Sequence, residues 1–268
     1  MWEIINDIRK KREKAVLAVI VETKGSTPRK AGSKLLVTEK GEIYGTVGGG
    51  DLEYFVVEKA KELLESQQPM LLTHNLKSDF KMACGGKVTV YLEPIVPPAQ
   101  LFIFGAGHIG KELAGYAKDF DFEITVIDSR KDILDTLEGN GYKLICATPD
   151  KAVEQLHFDD NTYICAISHT HDLDRQIASL VLNKPYAYLG VIASKNKAQK
   201  IRKALTEEGF DKEKTDSIDM PMGVPIECET PKEIAISVLA KLIDAKNKKI
   251  KAQKEKIAQI KTYNAAES

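Results

Sequence analysis

Four segments of this chain carry residue types and spacings that could do chemistry. Gly45-Thr46-Val47-Gly48-Gly49-Gly50-Asp51-Leu52-Glu53 sets three successive glycines between a short apolar strand and a helical pattern. Glycine reaches left-handed and extended backbone freely, so the N–H groups of Gly48, Gly49 and Gly50 can converge on one anion, with Glu53 close behind. A tight connection without a ligand is the alternative; the chain entropy spent on three glycines favours a ligand loop. Met82-Ala83-Cys84-Gly85-Gly86 puts a thiol on a second glycine-rich turn, without the apolar cover that Cys146 and Cys165 have inside their strands. A reactive or metal-facing Cys84 therefore stands beside a structural one, and a thiolate suits soft metals and sulfur chemistry.

Phe104-Gly105-Ala106-Gly107-His108-Ile109-Gly110 is a GxGxxG with a strand before it and an amphipathic helix after it. Gly105 permits the tight turn, Gly107 lets backbone approach a phosphate, and Gly110 allows close helix–strand packing. The helix start offers unpaired N–H groups and partial positive charge to an anion. Asp128 ends the next strand, 23 residues after Gly105, where a ribose-binding carboxylate is expected, and Arg130 leaves a 2′-phosphate open. His108 either faces a ligand phosphate or caps the helix. Ser168-His169-Thr170-His171-Asp172-Leu173-Asp174 follows another strand at the carboxyl edge of the sheet, where open α/β folds bind ligands. It resembles the HxHxDH metal loop of hydrolases but misses the register at Leu173, so no hydrolytic zinc site is expected. His169 and His171 remain as ligand-facing candidates, with Asp172 as the helix cap.

The elements that must position these segments change character along the chain. Residues 1–93 read as an N-terminal α/β domain with strands at Lys14–Val21, Lys34–Thr38, Ile43–Val47 and Lys87–Leu92, and a helix from Asp51. Residues 94–99 are proline-rich and read as a linker, since proline continues neither a ladder nor a helix. From residue 100 to 230, short strands alternate with helices of ten to fifteen residues, which implies a Rossmann-like, doubly wound parallel sheet. Thr230-Pro231-Lys232-Glu233 then starts a long lysine-rich C-terminal helix over 231–262, with Ile236, Ile243, Ile250 and Ile257 at heptad spacing. The fold class expected is therefore α/β with two domains and a terminal helix.

The 268 residues balance 39 Lys+Arg against 39 Asp+Glu, which argues against a general nucleic-acid binder. No apolar run approaches the length of a membrane span, and Met1-Trp2-Glu3 opens a charged segment rather than a signal peptide. Four scattered cysteines fit neither a disulfide scaffold nor a paired zinc site, so a cytoplasmic setting is expected, with no membrane or nucleic-acid partner.

Taken together, Gly25-Ser26-Thr27-Pro28-Arg29, Gly45 to Glu53, Cys84-Gly85-Gly86, Gly105 to Gly110 and Ser168 to Asp174 resemble the XdhC/CoxI family, accessory proteins of molybdenum hydroxylases such as xanthine dehydrogenase. The resemblance continues through Tyr188 to Lys195, Pro221-Met222-Gly223 and Thr230 to Ala235, and covers about residues 14 to 244. Ala193 and Cys228 depart from it, standing where the family pattern has glycine, and the lysine-rich tail lies outside it. The resemblance implies a cofactor-insertion chaperone rather than an enzyme. Such a protein binds molybdenum cofactor (molybdopterin) and protects it during sulfuration. It then delivers the cofactor to a molybdenum hydroxylase apoenzyme, with a cysteine desulfurase as second partner. Cys84 is then the residue to contact molybdenum, and a homodimer is the expected assembly. Two other readings stay open. In an NAD(P)-dependent oxidoreductase, Gly105 to Gly110 hold the pyrophosphate and Asp128 the ribose, and His169 or His171 is the acid–base. In a pure interaction module, the terminal helix dimerises through its isoleucines.

Overall fold

The structure is a computed structural model that describes the backbone of residues 1–80 and 85–266, and their side chains apart from 171, 253, 254 and 256–266. The chain divides into two compact units, Met1–Pro97 with the stretch from Lys251 on, and Pro98–Ile250.

The first unit contains α1 (Trp2–Lys10), β1 (Ala15–Lys24), β2 (Lys34–Thr38), β3 (Ile43–Gly45), α2 (Gly50–Ser66), β4 (Met70–Asn75), α3 (Leu76–Phe80) and β5 (Lys87–Ile95). Its strands form one antiparallel sheet in the order β3-β2-β1-β5-β4. β1 is apolar on both faces because helices cover both. Val16, Ala18 and Ile20 pack with Leu52, Val56, Ala60 and Leu63 of α2, whereas Ala15 and Leu17 pack with Ile5 and Ile8 of α1. Contrary to the expectation that the prolines end the strand, β5 runs through Pro94 to Ile95, paired with β1. β4 pairs with β5 only as far as Leu92, so Pro94 stands where the ladder continues on one side alone, and a missing N–H is tolerated there.

The second unit contains β6 (Ala99–Phe104), α4 (His108–Ala117), β7 (Phe122–Asp128), α5 (Lys131–Asp135), β8 (Lys143–Cys146), α6 (Pro149–Gln155), β9 (Thr162–Ala166), α7 (His171–Val181), β10 (Tyr188–Val191), α8 (Lys195–Glu207), α9 (Lys212–Ser217) and the start of α10 (Pro231–Ala266). Its sheet is parallel throughout, in the order β10-β9-β6-β7-β8. Central β6 is buried on both sides. Leu101 and Ile103 meet α4 and the Ala235, Val238, Leu239 and Leu242 face of α10, while Phe102 and Phe104 face Ile177, Val181 and Ile201. This is the Rossmann-like arrangement, and its strand order reverses between β6 and β9.

Two local expectations change. Cys146 is exposed at the last residue of β8 rather than buried, whereas Cys165 in the middle of β9 is fully buried. The face of α10 that packs is the Ala235/Val238/Leu239/Leu242 face, leaving Ile236 and Ile250 exposed. The start of α10 is the capping box its sequence predicts. Glu233 accepts from the N–H groups of Glu229 and Thr230, and Thr230 Oγ1 accepts from the N–H of Glu233.

Candidate functional site

Where the strand order reverses, the loops after β6 and β9 lie side by side at the carboxyl edge of the sheet. A Cβ on Gly105 would stand 2.1 Å from the carbonyl oxygen of Ile167, and one on Gly110 would stand 1.8 Å from that of Gly105. Only glycine permits these two approaches, and Gly105 also needs its φ of +119°. Gly107 has open space where a side chain would be, and α4 begins after it without a side-chain cap. His108 is the exposed first residue of α4, so it lines the opening rather than capping it.

Beside this loop is a cleft of about 540 Å³, lined by the glycine loop, α4, α5, the loop after β9, Ile192 and Pro231. Its polar side chains are His108, Lys111, Arg130, Thr136, Ser168 and His169, and none of the lining residues is acidic. Its apolar wall comes from Ile109, Ile133, Ile167 and Ile192. Both the volume and the mixture are those of a small-molecule site.

Asp128 lies behind this wall, its side chain 4% exposed. Oδ2 accepts from the N–H of Ala106 at 2.9 Å and from Nη2 of Arg130 at 2.7 Å. Oδ1 accepts from the N–H of Arg130 at 3.0 Å and from its Nε at 2.9 Å. Burial opposes the charge, but the Arg130 side chain and the two N–H groups outweigh it and hold the carboxyl down at about 2. Four donors occupy about four lone-pair sites, so Asp128 pins the glycine loop and Arg130 instead of presenting itself to a ribose.

The loop after β9 is held in the same manner. Asp174, fully buried, accepts from the N–H of Ser168 at 2.8 Å, and Ser168 Oγ donates to the carbonyl of Thr170. The cap of α7 is Thr170, whose hydroxyl accepts from the N–H of Leu173, rather than Asp172. His169 is exposed and faces the cleft. His171 starts α7, and its side chain lies outside those described.

Two family models match this chain, the XdhC Rossmann domain over residues 101–242 and the XdhC and CoxI family over residues 8–75. The chain belongs to the XdhC/CoxI family. Among its relatives is "Uncharacterized protein YqeB" of Escherichia coli (strain K12), 32% identical over 86% of this chain and 43% of that protein. This XdhC/CoxI chain thus spans under half the length of that relative. A probable xanthine dehydrogenase component of Bacillus subtilis (strain 168) is 22% identical, over 88% of this chain and 94% of its own. "Molybdenum cofactor insertion chaperone PaoD" of Escherichia coli (strain K12) is 24% identical, over 85% and 82%.

In the first unit of this XdhC/CoxI protein, three signature segments gather at one end of the antiparallel sheet. The N–H of Gly86 donates to the carbonyl of Ser26, and a Cβ on Gly86 would stand 2.3 Å from that oxygen. A Cβ on Gly48 would stand 2.7 Å from Pro28. The Gly25–Arg29 loop therefore touches both glycine turns. Gly48, Gly49 and Gly50 all have positive φ, and the carboxylate held at this turn is the chain's own. Glu53 Oε2 accepts from Thr46 Oγ1 and from the N–H groups of Val47 at 3.1 Å and Gly49 at 3.2 Å. The N–H of Gly48 bonds Thr46 Oγ1. Burial works against the Glu53 charge, yet the Thr46 hydroxyl and the loop N–H groups prevail and lower its carboxyl pKa. Of the three glycine N–H groups expected to converge on one anion, that of Gly49 is taken by the Glu53 carboxylate and that of Gly48 by the Thr46 hydroxyl. Cys84 lies outside the described residues, and its assigned role is carried by the sequence alone. Among the described residues, no group of three or more His, Cys, Asp or Glu could hold a metal, and no helix is long and apolar enough to cross a membrane.

Sequence reasoning missed Lys111 as a cleft cation and placed Arg130 only beside a ribose 2′-phosphate. The signal was present: two basic residues, one in the first turn of the helix after the glycine loop and one just after Asp128.

Proposed function

We propose that this protein is an accessory factor that binds molybdenum cofactor, protects it while its sulfurated form is prepared, and delivers it to a molybdenum hydroxylase apoenzyme such as xanthine dehydrogenase. A cysteine desulfurase is the second partner, the working form is a cytoplasmic homodimer, and the protein is a chaperone rather than an enzyme. The observation that carries the reading is the cleft beside Gly105–Gly110, whose polar side chains are cations and donors. The cofactor is a phosphorylated heterocycle, so a cationic rim with an apolar wall fits it. Arg130, Lys111 and the N–H groups at the start of α4 would hold the phosphate, and Ile109, Ile133 and Ile192 would cover the ring. As a separate part of the proposal, carried by the sequence alone, Cys84 is a soft thiolate suited to sulfur or metal chemistry. The name of the chaperone relative, aligned over most of both chains, supports the same reading.

A nicotinamide-dependent oxidoreductase is the second reading, favoured by the GxGxxG between strand and helix. The engagement of Asp128 with Arg130 speaks against it. The test is anaerobic binding of molybdenum cofactor to the purified chain, with NAD(H) and NADP(H) titrated in parallel. Near-stoichiometric cofactor with negligible nicotinamide affinity is expected, and tight nicotinamide binding without cofactor retention refutes the proposal. Cys84→Ala with full cofactor binding and full activation of the hydroxylase removes the thiol from it.

A further inference from the structure

We infer that the cleft of the parallel-sheet unit takes a phosphomonoester on a compact body and excludes a dinucleotide, with Arg130 and Lys111 as the residues that recognise the phosphate. The inference rests on reading this cleft as the cofactor's seat, and specifies what that seat accepts.

The acidic residue is the first ground. A dinucleotide in such a fold is recognised through a ribose diol, which donates to the carboxylate ending the second strand. Here all of the lone-pair sites of Asp128 are engaged, three of them by Arg130. A ribose would have to displace a guanidinium from a side chain that is 4% exposed. Removing one partner of a buried charge pair is costly, because the other charge is left uncompensated.

Space is the second ground. On the side of the sheet edge lined by Ser129, Ala147, Pro149 and Leu173, the hollow is only about 30 Å³, room for water rather than for a purine. The cleft on the other side is about 540 Å³. A ligand extended across the edge has room for one of its halves, whereas a compact one fits within the larger side.

The third ground is the donor inventory. Arg130 uses Nε and one N–H of Nη2 on the Asp128 carboxylate, which leaves three of the five guanidinium N–H groups. Its side chain is 35% exposed and lines the cleft. Lys111, one turn along α4 from Gly107, is exposed on the same lining. Asp128 thus acts on the ligand through Arg130, as a positioning residue that holds the guanidinium in place.

The test uses the full chain with four probes: phenyl phosphate, inorganic phosphate, adenosine monophosphate and NAD+, each titrated by calorimetry, alongside molybdenum cofactor retention. Phenyl phosphate should bind saturably, and NAD+ should not displace it. Adenosine monophosphate should bind no more tightly than phenyl phosphate. Arg130→Ala and Lys111→Ala should each weaken phenyl phosphate about tenfold or more, with Arg130→Lys in between. Arg130→Ala also strips Asp128 of its partner, so Lys111→Ala, which leaves that pair intact, is the variant that decides if the first fails to fold. Displacement by NAD+ at equal or better affinity overturns the inference, as does much tighter binding of adenosine monophosphate or wild-type affinity in both alanine variants. Cofactor retained without competition from any phosphate also overturns it, while leaving the accessory function standing. Phosphate bound but cofactor not retained does the reverse.

Discussion

Asp128→Asn should remove a pH-dependent part of the second unit's stability. In the wild type the carboxyl is held at about 2 against an ordinary value of 3.8. At about 1.4 kcal/mol per pKa unit, the gap corresponds to about 2 kcal/mol in full. The folded-state pKa is the depressed one, so this stability is complete above the unfolded value and is lost as pH falls through 3.8 towards 2. By pH 3, just under half of it, about 1 kcal/mol, should be gone. Arg130 is 35% exposed, and solvent screening on that side lowers the expected loss between pH 7 and pH 3 to about 0.5–1 kcal/mol. The single tryptophan, Trp2, is in the first unit, so its fluorescence does not report on this site. Native-state hydrogen exchange of β6 at pH 7, 5, 4 and 3 does. The wild type should be the more stable at pH 7, and its advantage over Asp128→Asn should shrink as the pH falls. A difference that stays constant across that range refutes the argument, because the carboxylate would then contribute nothing through its charge.

Other perturbations separate the roles of the glycines and caps. Gly105→Ala places a methyl 2.1 Å from the Ile167 carbonyl at a φ of +119° and should cost about 1–3 kcal/mol in urea unfolding. Gly107→Ala meets nothing within 4 Å at a φ of −66°, so it should melt like the wild type while weakening phenyl phosphate binding. Glu53→Gln should lower first-unit stability by about 1–2 kcal/mol at pH 7, read by Trp2 fluorescence. Because the Glu53 pKa is depressed, the difference should fade as pH drops below the ordinary glutamate range. Thr230→Ala should cost about 1 kcal/mol and speed amide exchange in the first turn of α10.

The parallel sheet was legible because its strands are short apolar runs separated by helical periodicity, and in the antiparallel sheet Lys34–Thr38 forms as read. The glycine loop after β6 was legible from Gly105 to Gly110, since Gly105 and Gly110 each answer a distinct steric demand and Gly107 leaves the loop open beside the helix start. Harder to read was which side chain answers which backbone group. Asp128 looks the same in sequence whether it waits for a ribose or grips Arg130, and the choice depends on the path of the chain after β7. Pro94 misled because a proline's cost depends on whether its strand has a neighbour on that side, and β4 stops pairing at Leu92. Cys146 ends its strand at the sheet's open edge, where an apolar run ceases to mean burial.

The carboxylate of Glu53 has a consequence for competition. Because it is tethered to the loop whose N–H groups it accepts from, it faces them at an effective concentration in the millimolar range or above, however dilute the protein. A free anion would have to exceed that concentration, or bind far more tightly, to take its place. The N–H groups of Val47 and Gly49 are therefore already engaged within the chain. The flexibility the three glycines introduce goes into turning the chain from β3 into α2 within a few residues.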